Sequence, residues 1–273
     1  MTQEELRKIG EIQLEMMDEV HRLCTENNIC YCIAYGTLLG AVRHKGFIPW
    51  DLDIDVVMPR ADYERFRQVC QAQLEAPYGY LDHESQPDYM RPHAIITHSQ
   101  TRLVYHFDPV NPKQMTKGVY IDIFPLDNAP DDEMEREKHA KQLHRIRRLK
   151  EKRMMYCYSF KRWRRFLHYA FAAMLLWIPI AKINRYQQKV MQKYNEMETK
   201  NVCSMAGGYD YEKECMPSDM FAKRELMEFE GRLFYGPENY EEYLTKIYGD
   251  YMQLPPEEKR QANLKYYISF SQL

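Results

Sequence analysis

Between Tyr35 and Met58 the chain sets a Gly36-Thr37 turn, a short helical run and a basic loop ahead of Asp51, Asp53 and Asp55 on alternate positions. Leu52, Ile54 and Val56 fill the places between. A period of two is the pattern of a half-buried strand, in which residues i, i+2 and i+4 share a face. Asp51, Asp53 and Asp55 then project together, and the apolar spacers enter a core. Carboxylates crowded on one face repel one another unless a cation neutralises them. A hard divalent ion suits such oxygen ligands, and Mg²⁺ commonly completes its shell with substrate phosphates. The segment therefore predicts a metal-dependent phosphoryl-transfer site, with Mg²⁺, or Mn²⁺ in its place, held by Asp51, Asp53 and Asp55. The competing reading is a solvated edge strand whose acids discourage pairing. The strongly apolar spacers and the upstream Arg43-His44-Lys45 favour the site.

The flanking sequence supplies the rest of a catalytic sheet. Thr2 and Glu5 form a capping box, and Leu6, Ile9, Ile12, Met16, Val20 and Leu23 follow at helical spacing until Asn27-Asn28. Ile29 to Tyr35 reads as the first strand, with Gly36 and Thr37 at its end. A glycine there admits a phosphate close to the backbone, and the amides of a following helix favour anionic oxygens. Gly36 and Thr37 are thus expected to cradle phosphates, with Arg43, His44 and Lys45 neutralising them. Pro59 opens a second helix to about Leu74, and His93–His98 and Thr101–Phe107 are strand-like. Val119 to Phe124 is a further strand in which Asp122 stands among β-formers. A lone carboxylate there is costly to bury without a partner. A neighbouring strand bearing Asp53 and Asp55 with a shared cation would provide one. Asp122 is expected either to ligate that metal or to accept a proton from an attacking hydroxyl. Asp127, in Pro125-Leu126-Asp127-Asn128, reads equally well as turn chemistry.

Composition bounds the alternatives. The 273 residues are 45% apolar, enough for a real core, and the net charge of −2 predicts no bulk attraction to nucleic acid. The cysteines number seven and no leader-like segment opens the chain, which suggests reduced thiols in the cytoplasm. Cys30-x-Cys32 has no matching second pair, so buried strand thiols are the better reading. From Lys141 to Arg165 there are eleven Lys or Arg and one acid, Glu151, and an aromatic, apolar run over 166–181 follows. That run is too short and too interrupted for a span of about 20 apolar residues. It fits either a helix lying in an anionic membrane surface or a buried helix covering the catalytic domain. Helices are expected near Ile183–Glu198 and Pro237–Ile247, with a short hairpin over Phe229–Gly236.

Three blocks resemble a known family. Tyr35 to Gly46, then Ile48 to Asp51 leading into Asp53-Ile54-Asp55, resembles the LicD family, related to fukutin within the nucleotidyltransferase-fold superfamily. Val119 to Asp127 agrees with it, as do Tyr248 to Met252 and Leu254-Pro255-Pro256. The likeness spans nearly the whole chain. Two departures stand out: Leu52 where many bacterial members carry Asp, and Arg260 to Leu264 where many carry a pair of His.

The resemblance implies an α+β fold, a nucleotidyltransferase-like mixed sheet flanked by helices, with a helical insertion. The expected division is a catalytic core over 1–135, a basic and apolar helical region over 136–200, and a segment over 201–273 that completes the site. It implies a transferase moving an alcohol phosphate, phosphocholine first, from CDP-choline to a hydroxyl of a cell-surface or lipid-linked glycan, with release of CMP. On this reading Asp51, Asp53, Asp55 and Asp122 are the metal set, and Tyr248–Pro256 closes over the site. CDP-ribitol or CDP-glycerol as donor, nucleotidyl transfer with loss of pyrophosphate, and a silent membrane-associated scaffold are the alternatives. The expected location is cytoplasmic, peripheral on the inner face of the membrane.

Overall fold

The computed structural model describes residues 3–86, 89–104, 116–154, 177–260 and 269–272. Helix α1 (Gln3–Glu26) follows the apolar stripe, with Ile9, Ile12, Met16, Val20 and Leu23 buried. It ends near Asn28, whose φ of 53° is a left-handed value that Asn tolerates. Thr2, the expected cap, lies outside the described residues. The first strand is shorter than expected. β1 covers Cys32–Ile33, and Tyr35 opens α2 (Tyr35–Arg43) with a φ of 46°. Gly36 and Thr37 therefore lie in the first helical turn rather than in a loop.

β2 (Asp55–Pro59) begins only at the third aspartate. Asp51 instead folds back on Ile48 in an isolated bridge, so Leu52 to Ile54 is extended chain leading into the strand. Ile54 and Val56 are buried as predicted, while Leu52 is only half-buried. β2 lies between β1, antiparallel, and β7 (Tyr120–Ala129), parallel, with Asp55 opposite Asp122. Val56, Val57 and Met58 are all buried, the unbroken apolar run that a strand covered on both faces requires. Pro59 then caps α3 (Arg60–Gln73), its fixed φ suiting a helix start. β4 (Ala94–His98) joins the far side of β7, and β3 (Tyr78–Leu81) the far side of β4, both antiparallel. The order β1-β2-β7-β4-β3 is the expected mixed sheet of an α+β fold.

β7 runs well past Phe124 and takes in Asp127, which is fully buried within the strand rather than exposed in a turn. Its carboxylate receives Arg60 Nε and Nη2 at 2.7 and 2.6 Å, and Asn195 Nδ2 at 2.6 Å. Beyond it, α4 (Glu133–Met154) and α5 (Ile180–Met191) pack on each other. β8 (Asn201–Cys203) returns to pair with the end of β7, and β9 (Cys215–Pro217) pairs with β8. The chain beyond residue 200 therefore adds strands to the same sheet. Short helix α6 (Tyr211–Glu214) precedes β9.

The expected hairpin is longer than its sequence signal, β10 (Arg224–Phe229) against β11 (Arg232–Pro237). Its turn places Glu230 and Gly231 at φ 52° and 71°, as a tight hairpin requires. Helix α7 (Tyr240–Tyr248) follows. A small sheet joins β5 (Thr101–Val104) to β6 (Thr116–Lys117) and β12 (Ser269–Gln272). Residues 105–107 of the strand expected there lie outside the described residues.

Among the described residues no helix is long and apolar enough to cross a membrane. The apolar run over 166–181 lies outside the described residues as far as 176; beyond it, Trp177 and Ile178 are exposed. The six described cysteines, Cys30 and Cys32 among them, are free thiols.

Candidate active site

The first turn of α2 is clasped to the entry of β2. Asp55 N–H donates to Thr37 Oγ1 at 2.8 Å, and the Thr37 hydroxyl donates on to Asp53 O at 3.3 Å. Gly36 faces Asp51: a Cβ there would come within 2.7 Å of Asp51 Oδ2. The Gly-Thr pair thus shapes the carboxylate-bearing segment. Gly40 and Gly46 answer to the same kind of crowding. A Cβ on Gly40 would meet Gly46 O at 2.3 Å, and one on Gly46 would strike Glu230, whose Oε1 accepts from Phe47 N–H at 3.0 Å. The hairpin tip therefore clamps the loop between α2 and the aspartates.

The carboxylates converge although only Asp55 lies within β2. Burial, then the charges of Asp51 and Asp122, push the Asp53 carboxyl up to about 7, although the residue as a whole is exposed. Burial and the neighbouring Asp122, Asp53 and Asp51 carry Asp55 well above the ordinary carboxylate range. Asp51 is raised too, chiefly by burial. Asp122 behaves in the opposite way. Burial opposes its charge, yet Arg91 and His93 hold it below its ordinary value. Arg91 Nη1 donates to Asp122 Oδ1 at 2.6 Å, and His93 Nε2 lies 2.8 Å from the same oxygen. His93 is itself lowered by burial, so a neutral ring donating through Nε2 fits this pair. Its Nδ1 is buried with no partner among the described residues.

Sequence reasoning expected a shared cation to be Asp122's partner, and the structure supplies Arg91 and His93. Both precede β4 on an irregular segment, where no periodicity marks them. Glu214 was missed as well. It is buried, it accepts from the Tyr35 hydroxyl and, at 3.0 Å, from Tyr209 N–H, and burial lifts it to about 7. Tyr209 stacks on Tyr35 with ring centres 6.0 Å apart, and Tyr248 meets Tyr209 edge-on at 5.7 Å. The only hint in the sequence was the abundance of tyrosine, which no spacing singled out.

The basic loop is placed differently from the carboxylates. Arg43 Nη1 donates to Tyr251 O at 2.7 Å, tying α2 to the segment that follows α7. His44 packs edge-on against Trp50 at 6.2 Å, and Lys45 is exposed with a φ of 58°. Among the described residues no hydrogen bond or ion pair joins these three to Asp51, Asp53 or Asp55.

Asp53 and Asp55 fit a divalent cation by their chemistry: they are hard oxygen donors whose ionised forms repel each other and lie beside a third carboxylate. Among the described residues no three His, Cys, Asp or Glu side chains close into a ready cage. Asp53 and Asp55 are therefore the residues that would hold such an ion, with Asp51 and Asp122 close enough to raise them further. A cavity of about 910 Å³ opens at Arg91 and His93, the partners of Asp122; Phe124, Glu214, residues 203–211 and α4 also line it, and the aspartates themselves do not.

A family model described as LicD/FKTN/FKRP, nucleotidyltransferase domain, matches residues 28–154, a span that holds α2, the aspartates, Arg91 and His93. The chain is 31% identical over 264 residues, 94% of its own length and 95% of the relative's, to the lipopolysaccharide cholinephosphotransferase LicD of Haemophilus influenzae. Shorter stretches of 55 residues, 20% of this chain, are 49% and 47% identical to uncharacterised proteins of Rickettsia typhi and Rickettsia prowazekii, covering 18% and 21% of those. Similarity along nearly the whole chain, with a family match across the carboxylate cluster, places this protein in the LicD family.

Proposed function

We propose that this protein is a metal-dependent phosphotransferase that moves phosphocholine from CDP-choline to a hydroxyl of a cell-surface glycan and releases CMP. The observation that carries the reading is the unequal treatment of the carboxylates. Arg91 and His93 pair with Asp122, whereas Asp53 and Asp55 are crowded and, among the described residues, have no ion-pair partner of their own. Similarity to a lipopolysaccharide cholinephosphotransferase supports the choice of transferred group and of acceptor.

Asp53 and Asp55, supported by Asp51, would hold Mg²⁺ against the donor diphosphate. The ion, when bound, supplies positive charge to the phosphoryl oxygens as charge develops there. The Thr37 clasp fixes the backbone between Asp53 and Asp55, so their spacing is set before the donor arrives. The acceptor oxygen forms a bond to the phosphorus that bears choline, and the bond from that phosphorus to the CMP oxygen breaks. Asp122, kept ionised, receives the hydroxyl proton at Oδ2, the oxygen that neither Arg91 nor His93 holds. Arg91 and His93 orient it. The Tyr209 and Tyr248 rings, packed edge-on near Glu214, which accepts from Tyr209 N–H, suit the choline cation, since aromatic faces attract quaternary ammonium groups. The exposed Trp177, Ile178 and Tyr186, beside Lys182, support contact with a membrane surface where a lipid-linked glycan would be met.

Calorimetric titration with CDP-choline, CDP-ribitol, CDP-glycerol, CTP and ATP, each with and without Mg²⁺, tests the donor. Mg²⁺-dependent preference for CDP-choline is expected. Preference for a triphosphate would overturn it in favour of nucleotidyl transfer, and no binding in favour of a silent scaffold. Asp53→Asn and Asp55→Asn are each expected to abolish transfer while the protein stays folded. Activity retained in both would remove the metal assignment.

A further inference from the structure

The cavity beside the carboxylates has a wall that the transfer step described above leaves unused. α4 turns Lys141, His144, Arg147, Arg148 and Lys150 toward it. Lys150 differs from the others in being 5% exposed, whereas Arg147 and Lys141 reach solvent. Lysine is almost never fully buried unless it is paired. The partner of Lys150 is the neutral amide of Gln187, whose Oε1 accepts at 2.7 Å. Among the described residues no carboxylate pairs with it. Arg147, one turn earlier on α4, shares its charge between Glu151 at 3.2 Å and the field at Glu214.

A buried ammonium without a counter-ion is costly to hold in a protein, and an anionic ligand removes that cost. The cavity is also larger than a phosphocholine group needs, and it runs from Arg91 and His93, which hold Asp122, outward along α4. If Asp122 takes the proton of the attacking hydroxyl, the acceptor lies on this side of the phosphorus, with the leaving CMP opposite.

We propose that Lys150, assisted by Arg147, binds a phosphate group on the acceptor glycan, so that the enzyme selects a phosphorylated sugar and presents its neighbouring hydroxyl to Asp122. This rests on the transfer reading above for the identity of the ligand, but the anion site stands on the buried lysine alone. Lys150 and His93 line the same cavity and the charge of Lys150 opposes one on the His93 ring, so the phosphate would lie on the Asp122 side of the site.

The test uses the full chain and three variants, Lys150→Met, Lys150→Arg and Arg147→Gln. Inorganic phosphate and a hexose 6-phosphate are titrated by calorimetry in EDTA, so that no metal draws them to the aspartates, with the free hexose as control. CDP-choline is titrated separately with Mg²⁺. Wild type is expected to bind both phosphates and not the free hexose. Lys150→Met is expected to lose at least tenfold in phosphate affinity with CDP-choline affinity kept within about twofold, while Lys150→Arg stays within about threefold for both. Lys150→Met should also melt at a higher temperature than wild type, because it removes an uncompensated charge and keeps the apolar stem; a purely structural lysine would give a lower melting temperature. Should Lys150→Met fail to fold, Arg147→Gln carries the same comparison, with a several-fold loss expected. Phosphate affinity unchanged in the folded variants, or no phosphate binding by wild type, overturns the proposal. A parallel loss of CDP-choline also overturns it, since Lys150 would then hold the donor. Phosphate binding at Lys150 in a protein that ignores CDP-choline would leave the anion site in place and remove the donor reading instead.

Discussion

Replacing Thr37 by Val separates two roles that its position invites. The sequence suggests a hydroxyl waiting for phosphate. In the structure that hydroxyl is committed, accepting from Asp55 N–H at 2.8 Å and donating to Asp53 O at 3.3 Å, and the side chain is 2% exposed. Valine keeps the shape and loses both bonds. Leaving a buried donor unpaired costs about 1–3 kcal/mol, and the longer second bond adds about 0.5 kcal/mol, for a total of about 1.5–3.5 kcal/mol. Against a typical stability of about 5–15 kcal/mol that is a substantial share. At about 2–4 °C per kcal/mol for a chain near this size, the melting temperature should fall by about 3–14 °C. Thr37→Ser, which keeps the hydroxyl, should lose far less. Thermal and urea unfolding followed by circular dichroism measure both, and Mg²⁺ titration should show weaker binding in Thr37→Val as the spacing of Asp53 and Asp55 loosens. A Thr37→Val protein that melts with wild type, yet binds donor poorly, would refute the clasp and restore the phosphate cradle.

Two further perturbations read other parts of the site. Asp53 titrates near 7 in the folded, metal-free protein against an ordinary carboxylate value of 3.8, so the folded state binds the extra proton in that window. The stabilising contribution is therefore full at low pH and lost as pH rises through about 7, and Asp53→Asn should flatten that slope in urea melts run in EDTA; a slope identical in the variant would count against the carboxylate crowding. Asp127→Ala removes the bidentate partner of Arg60, which is 10% exposed and keeps only the longer contacts to Glu64 and Gln188, and should cost about 3 kcal/mol while transfer per folded molecule persists. Loss of transfer without loss of stability would move Asp127 from the scaffold into the site.

The sequence disclosed most of the frame through periodicity. The stripe of α1, the apolar run Val56 to Met58 and the β-formers around Asp122 follow repeats that a helix or strand imposes locally. It also disclosed that Asp51, Asp53 and Asp55 belong together, since two-residue spacing survives even where the ladder does not form. What stayed hidden depends on contacts remote in the chain. Tyr35 reads as strand, but its ring and hydroxyl are engaged by Tyr209 and Glu214 far along the sequence, and that setting places it in α2. Asp127 looks like turn chemistry until Arg60, on another element, makes its burial tolerable. Arg91 and His93 sit on an irregular segment with no repeat to mark them, and only the pairing of β4 with β7 brings them to Asp122.

The arrangement of charge is what joins these parts into one mechanism. Had every carboxylate been given its own guanidinium, as Asp122 was given Arg91, the cluster would be neutral and would have little attraction for a cation. Had none been given one, Asp122 would share the upward shift of Asp53 and Asp55 and would be protonated when it is needed as an acceptor. On the proposed reading, one paired carboxylate beside others that have no ion-pair partner among the described residues would set a cation site next to an ionised base, on adjacent strands in register at Asp55 and Asp122. The same logic runs in reverse across the cavity, where Lys150 has an amide in place of a counter-ion. Lys150 lines the cavity that begins at Arg91 and His93, the two residues that hold Asp122, and a ligand of opposite sign would relieve the charge at either place. On the proposed reading, a metal ion at the aspartates and a phosphate at Lys150 would hold the acceptor hydroxyl between them, and the placement of the two charges together, rather than either alone, would decide which sugar hydroxyl is modified.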